Sequence, residues 1–114
     1  MLTKKDYCDH KICVALSELG CPVPKYATIN IRTKEKEWKM WLPLYDAQKW
    51  LREEKKIEVN ATYDNIVELH WHWYMKSLTN RNQDTSIINY DSYEQALLAG
   101  IKEAIEILKE ENND

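Results

Sequence analysis

The sequence predicts a single small α+β domain over residues 1–114. Its elements run in the order α-β-β-α-(β)-β-β-α, with a mainly antiparallel sheet and helices packed on one face. Three observations carry that reading. Apolar residues recur at helical spacing in three windows, each bounded by a cap or a proline. Between the windows lie segments of polar–apolar alternation that fall in pairs around short polar turns, as antiparallel hairpins do. Apolar residues make up 44% and charged residues 31% of the chain, which suits one solvated core, and no linker or repeat divides it.

The first helix is expected over residues 3–20. Thr3 caps it with Asp6 three positions on, and Leu2 and Tyr7 hold the staple positions. Gly20 ends it, and Pro22 and Pro24 prevent continuation. Cys8, Ile12, Ala15, Leu16 and Leu19 form its core stripe. Residues 26–42 read as a strand pair. Ala27, Ile29 and Ile31 alternate with Thr28, Asn30 and Arg32, and a charged turn follows over residues 33–37. Trp38, Met40 and Leu42 then take the core face, and Lys39 and Trp41 the other.

Pro43 suits the first turn of a second helix, residues 44–55, with Leu44, Ala47, Trp50 and Leu51 buried. Residues 57–59 read as a short strand. Residues 65–76 form the clearest strand. Val67, Leu69, Trp71, Trp73 and Met75 share one face, and Ile66, Glu68, His70, His72, Tyr74 and Lys76 the other. Residues 85–90 supply its hairpin partner. The last helix starts at Asp91 or Ser92, which pair with Glu94 and Gln95 as capping boxes. Its stripe is Leu97, Leu98, Ile101, Ala104, Ile105 and Leu108, and Ala96 and Gly100 allow close approach to a sheet. Residues 111–114 are a frayed acidic tail.

Composition narrows the function. The only two glycines, Gly20 and Gly100, lie far apart, so neither a Walker loop nor a dinucleotide fingerprint is present. A net charge of −3 gives no support for non-specific nucleic-acid binding. Cys8, Cys13 and Cys21 are odd in number and confined to the start of the chain, unlike a secreted disulfide framework. The start lacks the apolar stretch of a signal peptide, and no apolar run is long enough to span a membrane. Reduced thiols and a cytoplasmic location, with no membrane partner, are expected.

Three segments carry a resemblance. Leu16-Ser17-Glu18-Leu19-Gly20 closes a helix ahead of prolines. Residues 43–53, with Pro43, Tyr45, Trp50, Leu51, Arg52 and Glu53, fit the pattern P-x-Y-x-x-x-x-W-[LF]-R-E. Asp91-Ser92-Tyr93-Glu94-Gln95-Ala96-Leu97, continuing to Gly100-Ile101-Lys102-Glu103-Ala104, resembles a terminal helix of the form DSYEEAL…I-x-E-A. Together they resemble a family of small uncharacterised proteins carried by phages, prophages and mobile elements of gut anaerobic bacteria. The resemblance implies a mobile-element origin and a cytoplasmic life. It brings no catalytic residues.

The residues offer few chemical constellations. His70 and His72 form an H-x-H pair on one strand face beside Glu68, two or three ligands with no partner motif, so the expectation is a solvated sheet face and no metal. Cys8 and Cys13, five apart on a helix, diverge by about 140°, and the C-x2-C knuckle is absent. No serine sits in a nucleophile elbow. No cofactor is expected.

Two surfaces remain. Tyr7, His10 and Val14 recur at i, i+3 and i+7 on the side of the first helix opposite its stripe, a partner surface for another protein or for a second copy in a homodimer. The other sheet face collects Arg32, Trp41, His70, His72 and Tyr74 with Asn30, Lys39 and Lys76. Aromatics among basic groups suit single-stranded nucleic acid, the alternative and less favoured partner. The expected function is that of a non-enzymatic accessory protein that binds another protein.

Overall fold

A computed structural model describes residues 4–64, 70–79, 83–86 and 89–112. In chain order it contains a 3-10 turn (Lys4–Asp6), α1 (His10–Glu18), β1 (Lys25–Ile29), β2 (Lys36–Met40), α2 (Leu44–Glu54), β3 (Ile57–Asp64), β4 (His70–Ser77), β5 (Gln83–Thr85) and α3 (Tyr93–Asn112). The α+β class and element order are as expected. The strands form two antiparallel sheets rather than one: a ribbon β1-β2 and a three-stranded sheet β3-β4-β5. The chain leaves β2 directly into α2, so the two hairpins close separately.

The three-stranded sheet is the base of the core. Val59 faces Met75 and Ala61 faces Trp73 across the β3–β4 ladder, and all four point at the helices. Helix α3 covers this face with Leu97, Ile101, Ala104 and Ile105, each fully or almost fully buried. Gly100 makes the closest approach. A Cβ built there would lie 2.7 Å from Val59 Cγ1 and 2.9 Å from Trp73 Cβ. Helix α2 adds Leu44, Ala47 and Leu51 to the same core. Its Gln48 side chain donates to the outward Val59 carbonyl at 2.7 Å and to Asn60 Oδ1 at 2.9 Å, which ties α2 to the outer edge of β3 at that one position. At the start of α3, Ser92 Oγ accepts from the Gln95 amide, as the second of the two anticipated boxes requires, while Gln95 Oε1 reaches one residue further back and accepts from the Asp91 amide. Ring contacts link Tyr63, Trp71, Tyr93 and Tyr45 beside that cap.

The first helix differs from expectation. It starts at His10, because Asp9 takes the cap and accepts from the Ile12 amide at 2.9 Å. Thr3 and Leu2, the anticipated cap and staple, lie outside the described residues. Cys8 is buried but precedes the helix, and Cys13 joins Ile12, Ala15 and Leu16 in the core. Gly20 closes the helix at φ 102°, a left-handed conformation that disfavours side-chain-bearing residues.

The strand ends shift as well. β1 stops at Ile29 because the Asn30 side chain accepts from the Arg32 and Thr33 amides and turns the chain early. β3 runs through eight residues, well past the three anticipated. The expected strand over residues 65–76 is described from His70, and residues 65–69 lie outside the described residues, as do 87–88 of its anticipated partner.

The ribbon β1-β2 reaches beyond the core. The Cα radius of gyration is 15.9 Å, against about 13 Å for a compact chain of this length. Trp38, expected in the core with Met40 and Leu42, is 62% exposed, while Leu42 is buried and Met40 half-buried. The core ends at Met40, and on β1 the expected apolar face is exposed at Ala27 and Ile29 while Thr28 opposite is half-buried. Ile29 and Ile31 are 71% and 93% exposed beyond it.

Gly100→Ala tests the helix-on-sheet contact. Overpacking costs about 1–3 kcal/mol and the gain in helix propensity returns up to about 1 kcal/mol. Urea unfolding is expected to show a net loss of about 1–2 kcal/mol. A stabilised variant would show that α3 rides higher on the sheet.

Candidate functional site

Hydrogen-bond parity defines the free side of β2. The Trp41 amide donates to the Pro24 carbonyl at 3.1 Å, and the Asn30 amide to the Glu35 carbonyl at 2.9 Å. In an antiparallel ladder alternate residues turn their backbone groups to the partner strand. Glu37 and Lys39, in register with Thr28 and Tyr26, therefore bond to β1. Lys36, Trp38 and Met40 turn their N–H and C=O groups outward.

The chain uses this outer edge once. Tyr7 bridges Pro43 in antiparallel fashion, and the Cys8 amide donates to the Leu42 carbonyl at 2.8 Å. Asp9 then caps α1 and the pairing stops. Among the described residues no group bonds the outward backbone of Trp38 or Met40.

A groove of about 1070 Å³ opens along that edge. One wall is residues 37–41, five in succession, with no residue from β1. Successive strand residues point to opposite faces, so they line a cavity together only through their edge. The first turns of α3 form the far wall with Glu94, Gln95 and Leu98. Tyr7, Cys8 and His10 close one end. The Tyr7 ring meets Trp41 edge-on at 4.7 Å, and Tyr26 backs Trp41 at 5.7 Å, which holds the indole in place. Lys36 Nζ lies 4.9 Å from the Trp38 ring centre. Lys5 and Glu94 approach to 4.0 Å at the rim.

The anticipated surfaces are redistributed. Tyr7, His10 and Val14 do not form one helical face, because Tyr7 lies in the extended segment before α1. Tyr7 and His10 line the groove, and Val14 does not. The residues assigned to a shared sheet face divide between two sheets. Arg32 sits exposed in the ribbon turn and Trp41 at the groove, while His70, His72 and Tyr74 lie on β4. On β4, His72 faces Thr62, Tyr74 faces Asn60, and Lys76 faces Glu58. Glu68, the third anticipated ligand near the histidines, lies outside the described residues. Among the described residues no three His, Cys, Asp or Glu side chains converge as a metal site.

Trp38, Met40 and Leu98 were not anticipated in a site. Their signals were present. Trp38 and Trp41 put large rings on both faces of one strand, which a single core cannot cover. Leu97 and Leu98 make the α3 stripe wider than one sheet contact requires.

Cys8, Cys13 and Cys21 are buried and free. Burial pushes all three thiols up; neighbouring thiols and carboxylates add to it for Cys8 and Cys21, and Asp9 adds to it for Cys13 against a smaller lowering by the Leu42 backbone. Cys13 Sγ lies 3.8 Å from the Cys8 carbonyl. The Cys21 thiol is raised from 9.0 to about 11. Below pH 9.0 it is protonated in folded and unfolded chains, and its contribution is complete. Above that value the unfolded chain loses the proton first, so stability falls as pH rises toward about 11. Urea midpoints are expected to drop between these limits, and less so in Cys21→Ala; an equal drop in both would remove Cys21 as a cause.

No protein-family model matches this chain, and no curated protein or solved structure matches it.

Proposed function

We propose that the chain is a non-enzymatic protein-binding protein that takes an extended polypeptide segment along the free edge of β2. The observation that carries this reading is the coincidence of outward backbone groups at Lys36, Trp38 and Met40 with an aromatic-walled groove. Strand addition needs unpaired main-chain donors and acceptors for affinity, and flanking apolar surface for side chains. A two-stranded ribbon is marginal alone, and its exposed Trp38 and Ile29 are the surface that a partner covers.

The groove's chemistry supports binding over catalysis. Its thiol, Cys8, is held protonated by burial, and its Ser92 hydroxyl accepts from the Gln95 amide as a helix cap. Among the described residues neither donates a hydrogen bond to a basic side chain. The resemblance of the helices to phage and mobile-element proteins fits an accessory role in a bacterial cytoplasm, which belongs to the same proposal. Nucleic acid is the weaker reading. The open face of β4 offers one lysine, Lys76, and a carboxylate opposes it.

Linear peptides selected from a random displayed library provide the test. The selected peptides should bind in a manner that Trp38→Ala weakens tenfold or more, because a central tryptophan is a typical hot spot. Tyr74→Ala on the other sheet should leave binding unchanged. Salt-sensitive quenching by a single-stranded oligonucleotide, lost in Tyr74→Ala and kept in Trp38→Ala, would replace this reading with the nucleic-acid one.

A further inference from the structure

Resting on the reading of the β2 edge as a strand-docking site, we propose that its occupant is β2 of a second copy of this chain, paired antiparallel about a two-fold axis at Trp38. The pairing follows from parity. An antiparallel partner centred on Trp38 places Trp38 opposite Trp38 of the second copy and Lys36 opposite Met40. Lys36, Trp38 and Met40 are the residues whose backbone groups point outward, so every donor on one edge meets an acceptor on the other. A one-residue shift of register would set outward-turned residues of one copy opposite inward-turned residues of the other and lose this match.

Charge selects the same register. Glu37 and Lys39 share the other face of the ribbon, in register with Thr28 and Tyr26, neither of them charged. In the two-fold arrangement Glu37 of each copy stands opposite Lys39 of the other. Opposite-charge cross-strand pairs stabilise a sheet and like-charge pairs oppose it. The self-pairing covers the exposed Trp38 ring with its symmetry mate. It also turns two marginal ribbons into one four-stranded sheet, in the order β1-β2-β2-β1.

The sequence of β2 permits a test in which association is lost and then recovered. Glu37→Lys sets lysine opposite lysine across the axis, and Lys39→Glu sets glutamate opposite glutamate. Both positions are exposed, and both bond to β1 through backbone alone, so each variant should keep the wild-type circular dichroism.

In sedimentation equilibrium the wild type should approach twice the 13.6 kDa chain mass with rising concentration. Each single variant should associate about tenfold or more weakly. An equimolar mixture of the two should form a heterodimer at wild-type strength, as should the double variant with itself. A wild type that stays at chain mass to millimolar concentration overturns the self-pairing, as does a dimer indifferent to both single variants. If selected peptides still bind at Trp38 in such a protein, the strand-docking reading stands and only its occupant is wrong. If they do not, both fall.

Discussion

Helix α3 lies where it does because residue 100 has no side chain. Val59 Cγ1 and Trp73 Cβ occupy the space in which a Cβ would sit, so the helix backbone rests on the β3–β4 ladder itself. That contact fixes the depth of α3 on the sheet. It thereby fixes the position of its first turns, where Ser92 caps the helix and Glu94, Gln95 and Leu98 form the far wall of the groove. A helix held off by an ordinary side chain would carry that wall away from β2. One absent methyl group thus connects the core to the groove.

The near wall depends on a different constraint, the cap at Asp9. The segment at Tyr7 and Cys8 runs along the outer edge of β2 and bonds at Leu42. Had it continued in extended form, it would have reached Met40 and Trp38 and closed the edge as a third strand. Instead the Asp9 carboxylate accepts from the Ile12 amide and the chain turns into α1. The edge is left open by a local preference for helix. At its first outward position, Leu42, the chain's own Cys8 pairs in the antiparallel sense, and the outward groups of Met40 and Trp38 beyond it carry no bond among the described residues. Burial of all three cysteines behind this segment anchors it to the core and keeps their thiols protonated.

Local signals in the sequence carried most of the fold. The Ser92–Gln95 cap, most of the α2 and α3 stripes and the two-residue period of β4 depend on neighbours within a turn or two and reappear in place, with Trp50 and Leu98 only partly buried at the margins of their stripes. Competition between local signals was harder to judge. Thr3 and Asp9 are both competent caps at helical distance from the same stripe, and spacing alone does not rank them. The division into two sheets is a long-range outcome, so the assignment of Arg32, Trp41, His70, His72 and Tyr74 to one face went with it. Trp38 shows a third kind of limit. Period-two alternation tells which side of a strand a residue is on, and not whether the core extends that far. The groove combines all of these: helical spacing brings Tyr7 together with His10, whereas Tyr7 reaches the groove from the extended segment before α1, and the edge of unpaired backbone has no side-chain signature.

The most direct measurement is amide hydrogen exchange along β2 in dilute protein, where no docking partner is present. The amides of Glu37, Lys39 and Trp41 bond to β1 and its flank and should be protected, while those of Trp38 and Met40 between them should exchange as solvent-exposed groups. Alternation of slow and fast exchange along consecutive residues would establish the free edge. Uniform protection across residues 37–41, or the opposite alternation, would contradict it.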